Sequence, residues 1–540
     1  MKPKAGFLSL AEELQFYILI SLPYRDILRC SSVCKALRQT YLSYSELQYI
    51  VELGGQQLLR VPDINPDNRI SISRRLQLLR NRAHAWFRLD VNTCTTIFLP
   101  DQFRNSGTPS IRVANRHLCL WDNSEKSATI LPILPDASQQ TIERDCYPRS
   151  LYSGPYAHTF EVFMDPAQNL IAVVHAGTGY DPIANWGYAE MFCIDLRALD
   201  GGGYHPQAAG HTLVLSELPG CEEPVVEPEP DNVKLKGFGK HIALWRTLQV
   251  NDVNDGFCHR WALQIWDWQH STTSSCVLTD DINPDYDDAA DFCFLGNDRL
   301  LVFSHKLKLY SIEDTTQAPQ LLACFLLPIS AMDTGFAECI LPMEDSLQPP
   351  MQAQQTMWTS DPQHQLFILS IETFFSTLVF IISTTTFFDL DFSSEMAAEI
   401  PWNDWGPSNS RVLQNQTECR IGVSGNRVLQ ACPVDDTTDE HDPSHITEFR
   451  LCAMDFSPLA IERLQGVGRV VKEPSTIIIE TPDLLPQVTL TTNLPYVEVV
   501  LDKTFSYPLG GIWIDKDAVY LCHGYQSDIE VIEITPRAGD

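Results

Sequence analysis

The sequence predicts a multidomain α + all-β chain: a small N-terminal block of three helices, a helical connector and a large C-terminal body of short strands. Three observations carry this expectation. A chain of 540 residues is too long for a single core. Apolar residues recur every three or four positions in the first 90 residues and every second position beyond about residue 95, the periods of helix and strand. Finally, 35 prolines, 27 glycines and 44% hydrophobic residues describe a turn-rich body with a packed interior rather than a helical bundle.

The helical block lies in "SLAEELQFYILISLPYRDILRCSSVCKALRQTYLSYSEL", from Ser9 onward. Ser9 is placed to cap a first helix, with Glu12 completing a capping box. Leu10, Leu14, Ile18 and Leu22 recur every four residues and form an apolar stripe. Pro23 ends that helix, because it lacks an N–H and disfavours helical geometry in the residue before it. Asp26 falls in the first turn of the second helix, where the dipole favours an anion. Ile27, Leu28, Cys30 and Val33 supply its apolar side, and a third run spans Lys35 to Tyr44. A block of this size buries too little surface to be stable alone, so it must dock on a partner or on its own body.

A turn-rich break, "RVPDINPDNR", precedes the connector helix in "SISRRLQLLRNRAHAWFRLD". Leu76, Leu79, Ala83 and Trp86 form its apolar face, and arginines occupy the opposite one. These breaks divide the chain into residues 5–45, 46–95 and 96–540. The remainder past residue 60 is expected to fold without the first block.

In the body, short strands such as "LIAVVHA", "HIALWRT", "WALQIWDW" and "IEVIEI" recur between turn residues, several as consecutive pairs like "NDRLLVFSHKLKLYSI". About seven such clusters fit a six- to eight-bladed β-propeller-like domain, with a pair of β-sandwiches as the alternative. Trp121-Asp122 and Trp266-Asp267 are reminiscent of WD repeats, though two dipeptides do not make a repeat. The segment Leu366 to Thr384, "LFILSIETFFSTLVFIIST", approaches the length of a membrane span. Its central Glu372 and lack of flanking basic residues favour two buried strands joined through "ETFFST", so no membrane partner is expected.

The net charge of −31 disfavours nucleic-acid binding, which needs Lys and Arg against phosphates. The charge is uneven: residues 1–90 carry 13 Lys/Arg against 8 Asp/Glu, and the rest carry 25 against 61. Two parts of opposite charge suggest two different partners. The 16 scattered cysteines, without a CxxC pair or an opening signal peptide, read as reduced thiols of a cytoplasmic or nuclear protein. The acidic stretches "CEEPVVEPEPD", "DDINPDYDDAAD" and "DDTTDEHDPSH" read as solvated loops; the second lacks the ligand pattern and glycine of a calcium loop.

No P-loop, nucleophile elbow or zinc motif is present, so no catalytic, cofactor-binding or metal-binding residue is assigned. The "KGFGKH" stretch reads as a turn. His175 in "HAGTGYDP" and His523 in "CHGYQSD" read as loop and turn fittings. Asp389 and Asp391 have strand spacing and offer a carboxylate pair for a hydrolase acting on glycans, the alternative function class.

The N-terminal block resembles an F-box. The family pattern falls without gaps on Leu10, Glu13, Leu14, Ile18, Leu19, Leu22-Pro23, Asp26, Ile27, Cys30, Val33-Cys34-Lys35 and Arg38. Ala11 stands where the family usually has proline, and Leu37 where it usually has tryptophan. F-box proteins of filamentous and mushroom-forming fungi show a similar Arg/Leu helix ending in Ala-Trp. The resemblance implies a non-catalytic substrate-recognition subunit of a Skp–cullin–F-box ubiquitin ligase. Its F-box would bind an acidic Skp adaptor, and through it a cullin and its RING partner, while the β domain would bind an unknown substrate protein. Leu10, Leu14, Ile18, Leu22, Pro23, Ile27, Val33, Cys34 and Leu37 are the adaptor-binding candidates. An F-box scaffold working outside any ligase is a further alternative.

Overall fold

The computed structural model describes residues 6–61 and 70–89 and, between 94 and 534, the strands and helices named below with most of their short turns. The longer connections 99–109, 133–143, 147–157, 181–187, 216–232, 283–289, 330–336, 342–356, 391–397, 435–447 and 481–486, with several shorter ones, lie outside the described residues.

The N-terminal block contains α1 (Glu12–Ile20), α2 (Tyr24–Val33) and α3 (Lys35–Ser43), followed by α4 (Ser45–Gly55). Helix α4 is not an appendage. Its Leu47 and Val51 pack with Leu19 of α1 and Ile27 of α2 in one core, so four helices bury what three could not. Gly54 lets α4 and α2 touch, because a Cβ there would fall 2.4 Å from the Tyr24 ring. The expected capping box is absent: Ala11 occupies the cap position, and the Ser9 hydroxyl instead donates to the Gly6 carbonyl at 2.6 Å. Pro23 caps α2, and Asp26 in its first turn pairs with Arg29 at 2.8 Å.

Helix α5 (Ile72–Trp86) starts at Ser71, whose hydroxyl accepts from the Arg74 amide. Leu76 and Leu79 pack on Tyr49 and Leu53 of α4. Trp86, at its other end, is fully buried in the β body. Its arginine face is not simply solvated: Arg75 is buried and Arg80 reaches back to α4.

Among the described residues the body is a succession of seven antiparallel sheets of four main strands each, two of them with an added fifth strand, formed almost entirely by consecutive stretches of chain, plus a two-stranded hairpin of Ser475–Ile479 with Val488–Thr492. Blade 1 holds Ser110–Ala114, His117–Asp122, Ser127–Pro132 and Arg144–Cys146. Blade 2 holds His158–Asp165, Leu170–Tyr180, Tyr188–Ala198 and Thr212–Val214. Blade 3 holds Val233–Phe238, His241–Asp252, Gly256–Asp267 and Val277–Ile282. Blade 4 holds Ala290–Leu295, Arg299–Ser304, Lys306–Ser311 and Gln320–Phe325, with Ala398–Ile400 added in parallel. Blade 5 holds Ala337–Ile340, Leu366–Glu372, Thr377–Ser383 and Ser410–Asn415. Blade 6 holds Ile421–Ser424, Arg427–Pro433, Phe449–Asp455 and Tyr496–Phe505, with Arg469–Val471 on its edge. Blade 7 holds Leu509–Ile514, Ala518–His523 and Asp528–Glu533. Its fourth strand is Cys94–Phe98, from before blade 1, paired antiparallel with Asp528–Glu533.

That last pairing fastens the two ends of the body in one sheet and leaves no open first or last blade. Apolar cores join blade 2 to 3, 3 to 4, 4 to 5, 5 to 6, 6 to 7 and 7 to 1. One backbone hydrogen bond repeats in five successive blades. The residue after the third strand donates to the turn before the second: Leu199 to Asn169, Trp268 to Lys240, Ile312 to Asp298, Thr384 to Gln365 and Phe456 to Asn426, all between 2.8 and 3.1 Å. The body is therefore a propeller-like succession of repeated blades. Gly239 and Gly425 supply left-handed turns at the equivalent corner in blades 3 and 6.

The Trp-Asp dipeptides are not equivalent, since Trp121-Asp122 ends a second strand and Trp266-Asp267 a third. Leu366–Glu372 and Thr377–Ser383 are neighbouring antiparallel strands, and no helix among the described residues is long and apolar enough to cross a membrane. Short helices α6 (Thr385–Phe388), α7 (Trp402–Asn409) and α8 (Pro458–Arg463) decorate blades 5 and 6.

Candidate docking surfaces

The nine adaptor-binding candidates separate into three groups. Leu10, Leu14, Ile18 and Val33 are exposed, at 37, 51, 42 and 75%. Pro23 is exposed at the head of α2, and Leu22 and Cys34 are half-buried. Ile27 and Leu37 are buried, at 0 and 7%, and hold the block together. Phe7, Leu8, Tyr17 and Ile20 extend the exposed apolar surface and were not singled out by sequence spacing. The signal available for Tyr17 and Ile20 is that the run from Phe16 to Ile20 is apolar on every side, while only Gln15 and Leu19 of α1 are buried. A contiguous exposed apolar face on one helix is the mark of a protein-docking surface. Arg25, Arg29, Lys35 and Arg38 are exposed on the neighbouring helices.

This face is held rigidly to the body. Glu52 of α4 is 2% exposed, and its carboxylate accepts from Arg80 of α5 at 3.2 Å and from Arg463 of α8 at 2.7 Å. Gln56 adds a third hydrogen bond at 3.1 Å. Leu58–Arg60 pairs antiparallel with Trp358–Ser360 of the body. The α-carbon of Gly55 approaches Leu459 of α8 so closely that an added Cβ would lie 3.0 Å from the leucine Cβ. Helix, strand and ion pair thus fix one orientation.

Between the block and blades 5 and 6 lies a cleft of about 780 Å³. Leu366 and Phe456 form its buried floor, and Arg25, Asp389, Glu462 and Lys472 stand on its exposed rim.

Other titratable clusters serve the fold. Asp291, on the first strand of blade 4, receives Lys236 of blade 3 at 2.8 and 2.9 Å and the Cys339 amide of blade 5 at 2.7 Å. Burial pushes its carboxyl up, but Lys236, Lys234 and these hydrogen bonds outweigh it and hold the carboxyl below its ordinary value. The end of the acidic run 280–291 is thus a buried ion pair, not a solvated loop. At its start, Asp280 and Asp281 lie on a strand and pair with Lys308 and Arg260; residues 283–289 lie outside the described residues, as do the other two acidic stretches.

His175 lies within a strand of blade 2, not in a turn, opposite Cys193 and 3.6 Å from Asp195. Burial, and then the charge of Arg197, lowers its pKa to about 3, while burial and Asp195 raise that of Cys193. Both groups are held neutral, which is the opposite of what an activated thiolate requires. His523 ends a strand and sits 3.6 Å from Glu530, whose pKa is lowered to about 2 by the neighbouring His523 and by Lys503, against burial. Asp389 caps the short helix α6 rather than lying on a strand, and Asp391 lies outside the described residues, so strand geometry does not pair these carboxylates. Among the described residues no group of three His, Cys, Asp or Glu side chains is arranged to hold a metal ion, and the described cysteines are all free thiols.

Comparison with known proteins bears on both parts. Residues 7–40 match the F-box domain family. No curated protein matches the chain. Among solved structures, the WD40 domain of coronin from Toxoplasma gondii is similar at 8% identity and a TM-score of 0.35, covering 80% of this chain and 82% of that one. BamB from Moraxella catarrhalis is similar at 9% identity and a TM-score of 0.30, covering 81% of this chain and 98% of that one. At these TM-scores the likenesses add no weight, and the architecture rests on the sheets themselves. The chain carries an F-box domain at residues 7–40, ahead of a propeller-like β body.

Proposed function

We propose that the chain is the substrate-recognition subunit of a Skp–cullin–F-box ubiquitin ligase, working in the cytoplasm or nucleus. Residues 5–45 would bind the Skp adaptor, residues 46–95 set geometry, and residues 96–540 present a substrate protein. The observation that carries this reading is the outward-facing row Leu10, Leu14, Ile18 and Val33 on an F-box domain. These side chains are exposed among the described residues, and burying them fully in a partner groove is worth at most about 1.5–3 kcal/mol apiece. Exposed Arg25, Lys35 and Arg38 would steer an acidic adaptor.

In this role the subunit makes no bonds. It raises the effective concentration of substrate lysines near a charged ubiquitin-conjugating enzyme. The joint at Glu52 suits that task, because a fixed angle between adaptor and body holds the substrate at a defined reach. The test is reconstitution of the full chain with purified Skp adaptor and cullin–RING complex, followed by size-exclusion chromatography. Co-elution with both supports the ligase reading. Co-elution with adaptor alone favours the scaffold, and elution with neither sinks the adaptor assignment.

A further inference from the structure

We propose that the cleft at the seam between the F-box block and blades 5 and 6 is a peptide-binding site. Its occupant is an extended segment with one apolar side chain between charged residues of both signs. This rests on the substrate-receptor reading and assigns a place on the chain where the substrate is read.

The cleft's volume of about 780 Å³ lies within the range of pockets that enclose a ligand, about 300–1,000 Å³. Its walls come from α2, the turn after α4, blade 5, α8 and the blade 6 segment 493–495. No single loop builds it; it exists because the block is docked. The floor is apolar: Leu366 and Phe456 are 1 and 6% exposed, and Ile461 and Leu494 are half-buried beside them.

The rim has the opposite character. Arg25 and Lys472 contribute two cations and Asp389 and Glu462 two anions. None of the four has a counter-ion within ion-pair distance among the described residues, and the Arg25 guanidinium donates only to the adjacent Tyr24 hydroxyl at 3.1 Å. On the wall, His364 bonds Asp361 at 2.8 Å, which raises its pKa and favours a third cation. Lys236 and Asp291, by contrast, are charges of the body that pair across blades 3 and 4.

A small apolar ligand would leave four rim charges unused, and a purely acidic or basic one would meet repulsion from two of them. A polypeptide satisfies all three demands: a side chain for the floor, amides for Gln57 and Asn493 on the walls, and charges of each sign for the rim.

The test uses the full chain and a phage-displayed library of random dodecapeptides. Recovered peptides are synthesised and their binding is followed by fluorescence anisotropy. Charge reversals Lys472→Glu and Glu462→Lys, and the floor change Leu494→Arg, should each weaken binding about tenfold or more with an unchanged melting temperature. Panning on Lys472→Glu should shift the recovered peptides toward an added basic residue, which a merely unfolded variant would not do. Peptides that bind all three variants as well as the parent, or a library that yields none, overturn the site. Adaptor retention by the parent chain, with Leu14→Asp as its negative control, separates the two readings: cleft-dependent peptides with no adaptor retained sink only the adaptor assignment, and adaptor binding without cleft-dependent peptides sinks only the cleft.

Discussion

The Glu52 carboxylate receives the Arg463 guanidinium at 2.7 Å across 411 positions of sequence, at a site where Glu52 is 2% exposed. With Arg80 on the same carboxylate oxygen, one buried anion joins the F-box helices, the connector helix and the β body. Removing Arg463 alone, as Arg463→Ala, leaves Glu52 its Arg80 partner and should cost about 1.5–3 kcal/mol. Removing both arginines strands a buried charge and should cost about 3–5 kcal/mol or more. Urea titrations of the two single variants and the double variant give the coupling directly. Small, strictly additive losses would mean that the carboxylate escapes to solvent and that the joint is loose.

The same joint changes the expectation for a truncated chain. Deleting residues 1–60 removes Tyr49, Leu53 and Gly55, and so uncovers Leu76 and Leu79 of α5 and Leu459 of α8. It also removes the strand Leu58–Arg60 from Trp358–Ser360. The remaining 61–540 chain should melt at a lower temperature than the full chain and bind a hydrophobic dye. An unchanged melting temperature would restore the independent body that the sequence suggests.

Exposed and buried members of the F-box apolar set should behave differently. Leu14→Asp and Ile18→Asp lie on the open face and should leave the melting temperature within a degree or two, while weakening adaptor binding by about thirtyfold or more if each is an interface anchor of ~2 kcal/mol. Ile27→Ala removes a side chain of 0% exposure and should cost about 2–5 kcal/mol of stability. Calorimetry on the adaptor complex alongside thermal melts separates the two. An Ile18→Asp chain that binds adaptor normally would remove that face from the interface.

Acid should weaken the seal between blades 6 and 7. Glu530 has its pKa lowered from 4.5 to about 2 by His523 and Lys503. A carboxyl depressed by folding contributes stability that is fully present above its unfolded value and lost as the pH falls toward the folded one. The loss therefore falls between about pH 4.5 and 2. Glu530→Gln cannot titrate, so its urea midpoint should decline less over that window than the parent's. Parallel curves for the two proteins would show that the carboxylate is not held in the folded state.

Much of this protein was legible because its signals are local. The spacing of Leu14, Ile18 and Leu22-Pro23, with Val33-Cys34-Lys35 beyond, marks a helical block wherever it is read. Alternation in stretches such as "HIALWRT" and "RLLVFSH" placed strands that the structure holds at His241–Asp252 and Arg299–Ser304. The Leu366–Thr384 segment holds the two antiparallel strands that the polar stretch around Glu372 suggests.

What tertiary structure decided concerns partners far apart in the chain. Periodicity shows that Leu14 and Ile27 are both apolar helical residues, but only the packing of Leu47 and Val51 from α4 turns one outward and buries the other. Cys94–Phe98, at the boundary between connector and body where the sequence marks no strand, becomes the closing strand of blade 7 only when Asp528–Glu533 arrives beside it. Asp291 looks like the tail of a solvated acidic run until the body sets Lys236 against it. The cleft has no sequence signature at all, since Arg25, Leu366 and Lys472 converge only after the block docks. Helix and strand periods are written in neighbouring residues. Burial, charge pairing and clefts are set by which surfaces meet, and a meeting across hundreds of residues leaves no local pattern.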